Sequence, residues 1–325
     1  MRDVFIARLL GLAAADPRIM LLTGDLGFGV LDQFRAQLPR QFLNVGVAEQ
    51  NMTGVATGLA LNGRIVFTYS IANFPTLRCL EQIRNDSAYH EASVKVVAIG
   101  GGFSYGPLGM SHHATEDLSI LRALPITVVA PGDDWEAGEA TAAVAALPGT
   151  CYLRLDKSSA GDTSRPAEQF TIGKARILRE GADLTFISIG GILSAVLEAN
   201  ERLADLKIAS RVISMHTIKP IDRGAILDAA RTTGGILTVE EHTIDGGLGG
   251  AVAEVCMDAG IYPQAFKRMA LPTEFSSIVG SQEYLRAHYR LDPSSIVDTA
   301  LQLLRTSPAS DNHSGRRYTV PSSNL

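Results

Sequence analysis

The residues best suited to chemistry fall in three short stretches of the first half of the chain. In Leu43-Asn44-Val45-Gly46-Val47-Ala48-Glu49-Gln50-Asn51-Met52, a strand-like apolar run over 42–47 gives way to Gly/Ala-rich helical sequence, with Glu49 at the junction. A carboxylate set between apolar and small residues is costly unless it is paired or protonated. These residues alone leave two readings open. One is a helix-start glutamate complementing the helix dipole; the other is a carboxyl group that exchanges a proton with a bound ring nitrogen. The second stretch, Tyr69-Ser70-Ile71-Ala72-Asn73-Phe74-Pro75-Thr76-Leu77-Arg78, runs from a strand end into a loop and helix. Its aromatics are either core or a stacking face for a planar ring. The third, residues 100–117, is glycine-rich and delivers His112 and His113 just before a helix. Adjacent histidines seldom converge on one ion, and no zinc-type spacing accompanies them. Solvated loop histidines, or proton donors and oxyanion partners, are the readings that remain.

Other chemistries find little support. The glycine loop is neither a Walker A loop nor a dinucleotide fingerprint. Cys79 and Cys151 fall inside expected elements, so a Cys nucleophile is disfavoured. Gly246-Gly247-Leu248-Gly249-Gly250 opens a helix; it reads as a tight turn with close packing, or as an anion hold.

The elements that must position these residues alternate. Short apolar runs at 19–23, 42–47, 64–69, 94–99, 126–130 and 151–155 are separated by helical patterns, which predicts a parallel α/β sheet covered on both faces. Ligands of such sheets bind beyond the carboxyl ends of the strands, where Asp25, Glu49, Tyr69, the triple glycine and Arg154 lie. A polar segment follows, then further strands at 184–189, 209–213, 235–239 and 267–271. The expectation is therefore two doubly wound α/β domains, 1–160 and 181–305, joined by a linker over 161–180 and followed by a disordered tail over 306–325.

The chain has 325 residues, 19% of them charged, and a net charge of -5. Its mean hydropathy is +0.13. That is a packed globular composition with no basic block, which disfavours nucleic acid or an anionic membrane as partner. Three scattered cysteines without a CxxC point to a reduced, cytoplasmic protein. The N-terminal run Met1 to Leu10 is broken by Asp3 and Arg8 and lacks a signal-peptide core.

The motifs, in their order, resemble the thiamine-diphosphate enzymes of the transketolase group. They are Val-Gly-Val-Ala-Glu-Gln-Asn-Met, then Leu-Arg-Cys-Leu-Glu-Gln-Ile-Arg, Ser-His-His with Glu-Asp-Leu-Ser-Ile-Leu-Arg, and Tyr152-Leu153-Arg154. In the second half, Met215-His216-Thr217-Ile218-Lys219-Pro220 and Thr238-Val239-Glu240-Glu241-His242 extend the likeness to about residue 305. The resemblance covers only the pyrimidine-binding and C-terminal domains. The Gly-Asp-Gly…Asn motif that holds magnesium and the diphosphate in such enzymes does not occur in this sequence. It implies one subunit of a split transketolase, with Mg2+ and the diphosphate held by a transketolase N-terminal subunit in an α2β2 assembly containing a homodimer of this chain.

Carried over residue by residue, Glu49 matches the glutamate that exchanges a proton with the aminopyrimidine of thiamine diphosphate. Phe74, with Tyr69 and Arg78, matches the cofactor-facing stretch. His112, with His113 beside it, matches the histidine that contacts ketose oxygens, and Arg154 and Arg2 match positions that hold a sugar phosphate. Departures concern the substrate. Leu108 stands where many transketolases have an acceptor-reading aspartate, and Gly29 and Gly100 stand where phosphate-binding Ser and His are often found. The alternatives are the β subunit of a 2-oxoacid dehydrogenase E1 component, a deoxyxylulose-phosphate-synthase-like carboligase, and a non-enzymatic interaction module.

Overall fold

Strands buried on both faces build the molecule, whose computed structural model describes residues 1–306. In the first half the order is α1 (Arg2–Ala15), β1 (Ile19–Thr23), α2 (Asp32–Gln37), β2 (Phe42–Asn44), α3 (Glu49–Leu61), β3 (Ile65–Ile71), α4 (Leu80–Gln82), β4 (Val94–Ile99), α5 (Asp117–Arg122), β5 (Thr127–Val129), α6 (Asp134–Ala146) and β6 (Cys151–Leu155). The second half holds β7 (Arg176–Arg179), β8 (Leu184–Ile189), α7 (Leu193–Asp205), β9 (Ser210–Ser214), β10 (Thr217–Lys219), α8 (Arg223–Thr232), β11 (Ile236–Thr243), α9 (Leu248–Ala259), β12 (Phe266–Leu271), α10 (Gln282–His288) and α11 (Pro293–Thr306).

The first sheet runs β10-β5-β6-β4-β3-β1-β2 and the second β12-β11-β8-β9-β7. All pairings are parallel except β10 on β5 and β7 on β9. These are the two α/β domains expected, each carrying one antiparallel edge strand. Central strands such as β4 are buried at every position, which requires helices on both faces. One face of the first sheet packs Phe67, Leu21 and Val97 against Phe5 and Leu9 of α1 and Ala140 of α6. The other face joins a core shared with the second sheet, in which Val96 and Val128 belong to the same cluster as Ile187, Ile213 and Ile226. Each large aliphatic or aromatic side chain buried there contributes about 1.5–3 kcal/mol relative to exposure.

Strand order places the site. β1 is followed by β2 on one side and, after α3, by β3 on the other, so the chain reverses direction across the sheet between β1 and β3. The crevice beyond the carboxyl ends of these strands is the natural ligand position. Glu49 opens α3 there.

Several expectations need revision. The linker over 161–180 ends in β7, an edge strand whose Arg176 is anchored to the first domain. β10 crosses over and joins the first sheet, a pairing too short for the sequence pattern to announce. The helix expected after the Tyr69–Arg78 stretch is instead a 3₁₀ turn, the short α4 and a π turn (Ile83–Ala88). β11 continues past residue 239 through Glu240, Glu241 and His242, all three buried. Of the tail expected over 306–325, residues 307–325 lie outside those described. Among the described residues, no helix is long and apolar enough to cross a membrane.

Arg176 explains how the linker is fixed. Its guanidinium pairs with Asp133 at 2.7 Å and Glu136 at 2.8 Å, both buried at the start of α6, and with Glu168 at 2.9 Å. Trp135 covers it, with the guanidinium carbon 4.4 Å from the ring centre. His216 lies close by, its ring tilted against Phe170 with centres 4.2 Å apart. Burial, and then the Arg176 charge, push His216 down to about 4. That is below the roughly 6.5 of an unfolded histidine, so the unfolded chain binds more protons between those values. The neutral ring's contribution is complete above about pH 6.5 and is lost as pH falls to about 4, a total of about 3 kcal/mol. His216→Gln should flatten the fall in urea-unfolding free energy across that window. An unchanged slope would show that His216 is not buried neutral.

Candidate active site

Glu49 is the first residue of α3 and only 2% exposed. The strand-to-helix junction makes it so: Gly24, at the end of β1, brings its backbone under the Glu49 side chain, where an added methyl would lie 3.4 Å from Cγ. Asn44 ties this edge together, accepting from the Asp25 and Gly46 amides and donating to the Asp25 carboxylate. The buried charge is answered by Arg78, whose Nη1 donates to Glu49 Oε2 at 2.8 Å. Among the described residues, Glu49 Oε1 has no hydrogen-bond donor.

Contacts run onward from Arg78. Its guanidinium carbon sits 4.7 Å from the centre of the Phe74 ring. Phe74 meets the edge of His112 at 5.2 Å, and His112 lies 6.3 Å from Tyr105. Lys157 Nζ is 3.7 Å over the Tyr105 ring. Glu49, Arg78, Phe74 and His112 are therefore joined by a continuous chain of contacts, which Tyr105 and Lys157 extend. Arg2, half-buried, reaches the same end: its charge bears on Tyr69 and Tyr105 and, after burial, helps depress Lys157.

Other sequence candidates are placed differently. Tyr69 is 4% exposed and lies parallel to Phe5 at 6.3 Å, so its ring is core rather than an open stacking face. His113 turns away from His112; it is buried edge-on to Phe103 at 4.9 Å, with Nε2 3.4 Å from the Gly106 carbonyl. Burial lowers its affinity for a proton. Arg154 departs most from expectation. Its guanidinium is 1% exposed, between Asp117 at 3.4 Å and Asp156 at 3.6 Å, and donates to the carbonyls of Glu241 and Ala114. Burial opposes the charge, but Asp117 and Asp156 more than offset it, so Arg154 stays cationic as an internal group. A phosphate has no access to it. The exposed cation is Lys157, three residues on, which a polar linker sequence disguised as an ordinary solvated lysine.

The glycine loop gains a physical reading. A Cβ on Gly100, whose φ is +99°, would overlap the Tyr105 ring. On Gly101 it would overlap the Arg154 guanidinium, and on Gly102 it would meet the Glu241 carboxylate at 2.5 Å. Each glycine makes room for a neighbouring side chain, Gly101 for the Asp156 carboxylate as well, and Tyr105 occupies the space that a larger residue at 100 would need. The second glycine cluster also holds an anion, but an internal one. Glu240 accepts from the Leu248 and Gly249 amides at the start of α9, at 2.7 and 2.8 Å. Burial raises its carboxyl to about 7 despite those two donors.

The Glu49–Arg78 pair should be energetically coupled. Arg78→Met should destabilise the chain by about 1–3 kcal/mol by stranding a buried carboxylate, the arginine itself being partly solvated. Glu49→Gln in that background should recover most of the loss in a calorimetric double-mutant cycle. Equal costs in both backgrounds would show that the pair is not coupled.

Comparison with known proteins agrees with this geometry. Residues 1–162 match the transketolase pyrimidine-binding domain and residues 173–296 the transketolase C-terminal domain. A subunit of the apulose-4-phosphate transketolase of Phocaeicola vulgatus is 36% identical over 307 residues, covering 94% of this chain and 97% of that protein. The 6-deoxy-6-sulfo-D-fructose transketolase subunit SqwH of Clostridium sp. is 36% identical over 302 residues, 92% of this chain and 93% of that one. A split-gene transketolase, solved as an inactive beta4 tetramer, superposes with a TM-score of 0.86 at 33% identity over 94% of this chain and 99% of its own. Transketolase from Campylobacter jejuni shares the fold at a TM-score of 0.76 and 17% identity, but this chain spans only 46% of its length. The chain belongs to the transketolase family, of which it forms the C-terminal half: a pyrimidine-binding domain and a C-terminal domain.

Proposed function

We propose that this chain is the C-terminal subunit of a split transketolase, which moves a two-carbon ketol unit from a ketose to an aldose. Glu49 carries the reading: a carboxylate enclosed at the chain reversal of the sheet, with one oxygen on Arg78 and the other without a protein donor. That arrangement fits the aminopyrimidine of thiamine diphosphate, whose ring nitrogen would take the free oxygen. Bound there, the cofactor supplies the electron sink for C–C cleavage. The protein's part is positioning and proton transfer. Glu49 holds and exchanges the ring proton, Arg78 pairs with its other oxygen, and Phe74 walls the ring from water. His112 accepts or offers a proton at substrate oxygen through Nε2, its Nδ1 being 3.0 Å from the Ser111 hydroxyl. Arg2 and Lys157, rather than Arg154, receive the anionic end of the sugar.

Mg2+ and the diphosphate belong, in this reading, to an N-terminal partner subunit, within an α2β2 assembly. Phe28 and Val47 support that placement: they are 78% and 74% exposed on the loops flanking Glu49. Apolar side chains so open beside a catalytic crevice are what a docking partner would cover.

Mixing the chain with a transketolase N-terminal half, thiamine diphosphate and Mg2+ should generate ketol transfer that neither subunit shows alone. Activity of this chain alone would sink the split-subunit reading, and oxidative acyl transfer from a 2-oxoacid would favour an E1 β subunit instead. Glu49→Gln should abolish turnover with the fold intact.

Lys157→Met should raise KM for a phosphorylated ketose at least tenfold, roughly 1.4 kcal/mol of binding, with kcat little changed. Equal effects on phosphorylated and neutral sugars would remove Lys157 from the anion site.

A further inference from the structure

The loop that carries His112 is held in part from outside its own domain. Its two stems are joined by the Gly102–Ala114 bridge, with amide-to-carbonyl distances of 2.8 and 3.0 Å in the two directions. Beyond that bridge the loop makes 3₁₀ turns over Gly106–Leu108 and Met110–His112. Turns of this kind do not fix a side chain to the tolerance that proton transfer needs.

The groups that fix the first stem sit on the C-terminal domain. Glu241, on β11, accepts the Phe103 amide on Oε1. The same carboxylate is gripped by Arg286 of α10 and by Gln282 Nε2 at 3.0 and 3.1 Å. The other stem is held by Arg154, whose Nη2 donates to the Ala114 carbonyl and, at 3.0 Å, to the backbone carbonyl of Glu241 itself. Phe103 is thereby set against Tyr289 of the C-terminal domain at 5.4 Å on one side and edge-on to His113 on the other. Asn73 closes the arrangement by donating to the His113 carbonyl.

We infer that Glu241, clamped by Arg286 and Gln282, is a positioning residue for ketol transfer: it sets the His112 loop from the C-terminal domain by holding the Phe103 amide. This rests on the reading of His112 given above. Glu241 touches neither Glu49, Arg78 nor Phe74, so its loss should disturb the histidine end of the site and spare the cofactor end.

Two variants test this in the reconstituted two-subunit enzyme. Glu241→Asp keeps the charge beside Arg286 but shortens the reach to Phe103 by one methylene. Glu241→Gln combined with Arg286→Gln removes both charges together, so neither is stranded. Glu254→Gln is the control, because the Glu254–Arg122 pair also joins the two halves but lies away from the loop clamp. In hydrogen–deuterium exchange, amides over residues 102–114 should exchange at least tenfold faster in Glu241→Asp, with α3 unchanged. In turnover, kcat should fall at least tenfold while the thiamine diphosphate Kd stays within twofold, and Glu254→Gln should do neither. Loop amides exchanging at the native rate would overturn the inference. So would native kcat with a loosened loop, or an equal loss in Glu254→Gln. Absence of ketol transfer in the native enzyme would instead refute the functional reading, and the exchange result alone would then decide whether Glu241 holds the loop. If the double variant does not fold, Glu241→Asp carries both measurements.

Discussion

A guanidinium taken out of water must find anions and carbonyls at close range, and Arg154 finds all of its partners along the seam between the two sheets. Asp117 and Asp156 neutralise it, and carbonyls from the histidine loop and from β11 take its Nη2. Asp156 in turn accepts the Gly191 amide of the second domain at 2.6 Å, and Tyr152 donates to Asp117 at 2.6 Å. Removing any member would leave a neighbour charged and dry, which is why buried networks of this kind act as a unit. The glycine loop, the end of β6 and the start of α5 are all arranged around this one cation.

That arrangement separates two kinds of buried charge. The Arg154 and Arg176 networks face inward and fix how the halves meet, although Arg154 Nε and one oxygen each of Asp117 and Asp156 lack a hydrogen-bond partner. Glu49 is open on one oxygen and rests on an arginine that solvent still reaches. His216 and His242 belong with the inward-facing kind: burial pushes both rings down to about 4. His242 is fixed as a single neutral tautomer, donating from Nδ1 to the Thr243 carbonyl and accepting the Ser119 amide on Nε2. The site is thus a soft, solvent-facing end on a rigid internal frame.

Much of this was legible in the residues. Alternating apolar runs gave two α/β units, and polar residues at strand ends gave Glu49 and the stretch from Tyr69 to Arg78. Where the sequence misled, the reason is geometric. Strand side chains alternate between faces, so Arg154 at a strand end was equally able to face the crevice or the seam, and only the carboxylates at 117 and 156 decide. Tyr69 looked like a stacking ring because nothing local revealed Phe5 beneath it. Lys157 was hidden by its polar surroundings, and Glu241 by lying within a strand that outran its apolar pattern. One signal was available: three successive glycines state that neighbours need the room, and those neighbours are Tyr105, Arg154, Asp156 and Glu241.

The small strand β10 has a consequence beyond its three residues. It is contributed by the second half of the chain yet completes the margin of the first sheet, pairing Thr217 with Val129 and Lys219 with Val128. The Lys219 ammonium then seals the turn before β5 through the Arg122 and Leu124 carbonyls, at 2.8 and 2.6 Å. Cut at the linker, the first half would present β5 as a bare ladder of unpaired amides and carbonyls, a template for any passing strand. The two halves are therefore poor candidates for independent life. Whatever genetic division parts this enzyme from its partner, a second one between these domains would meet an aggregation barrier built into the sheet itself.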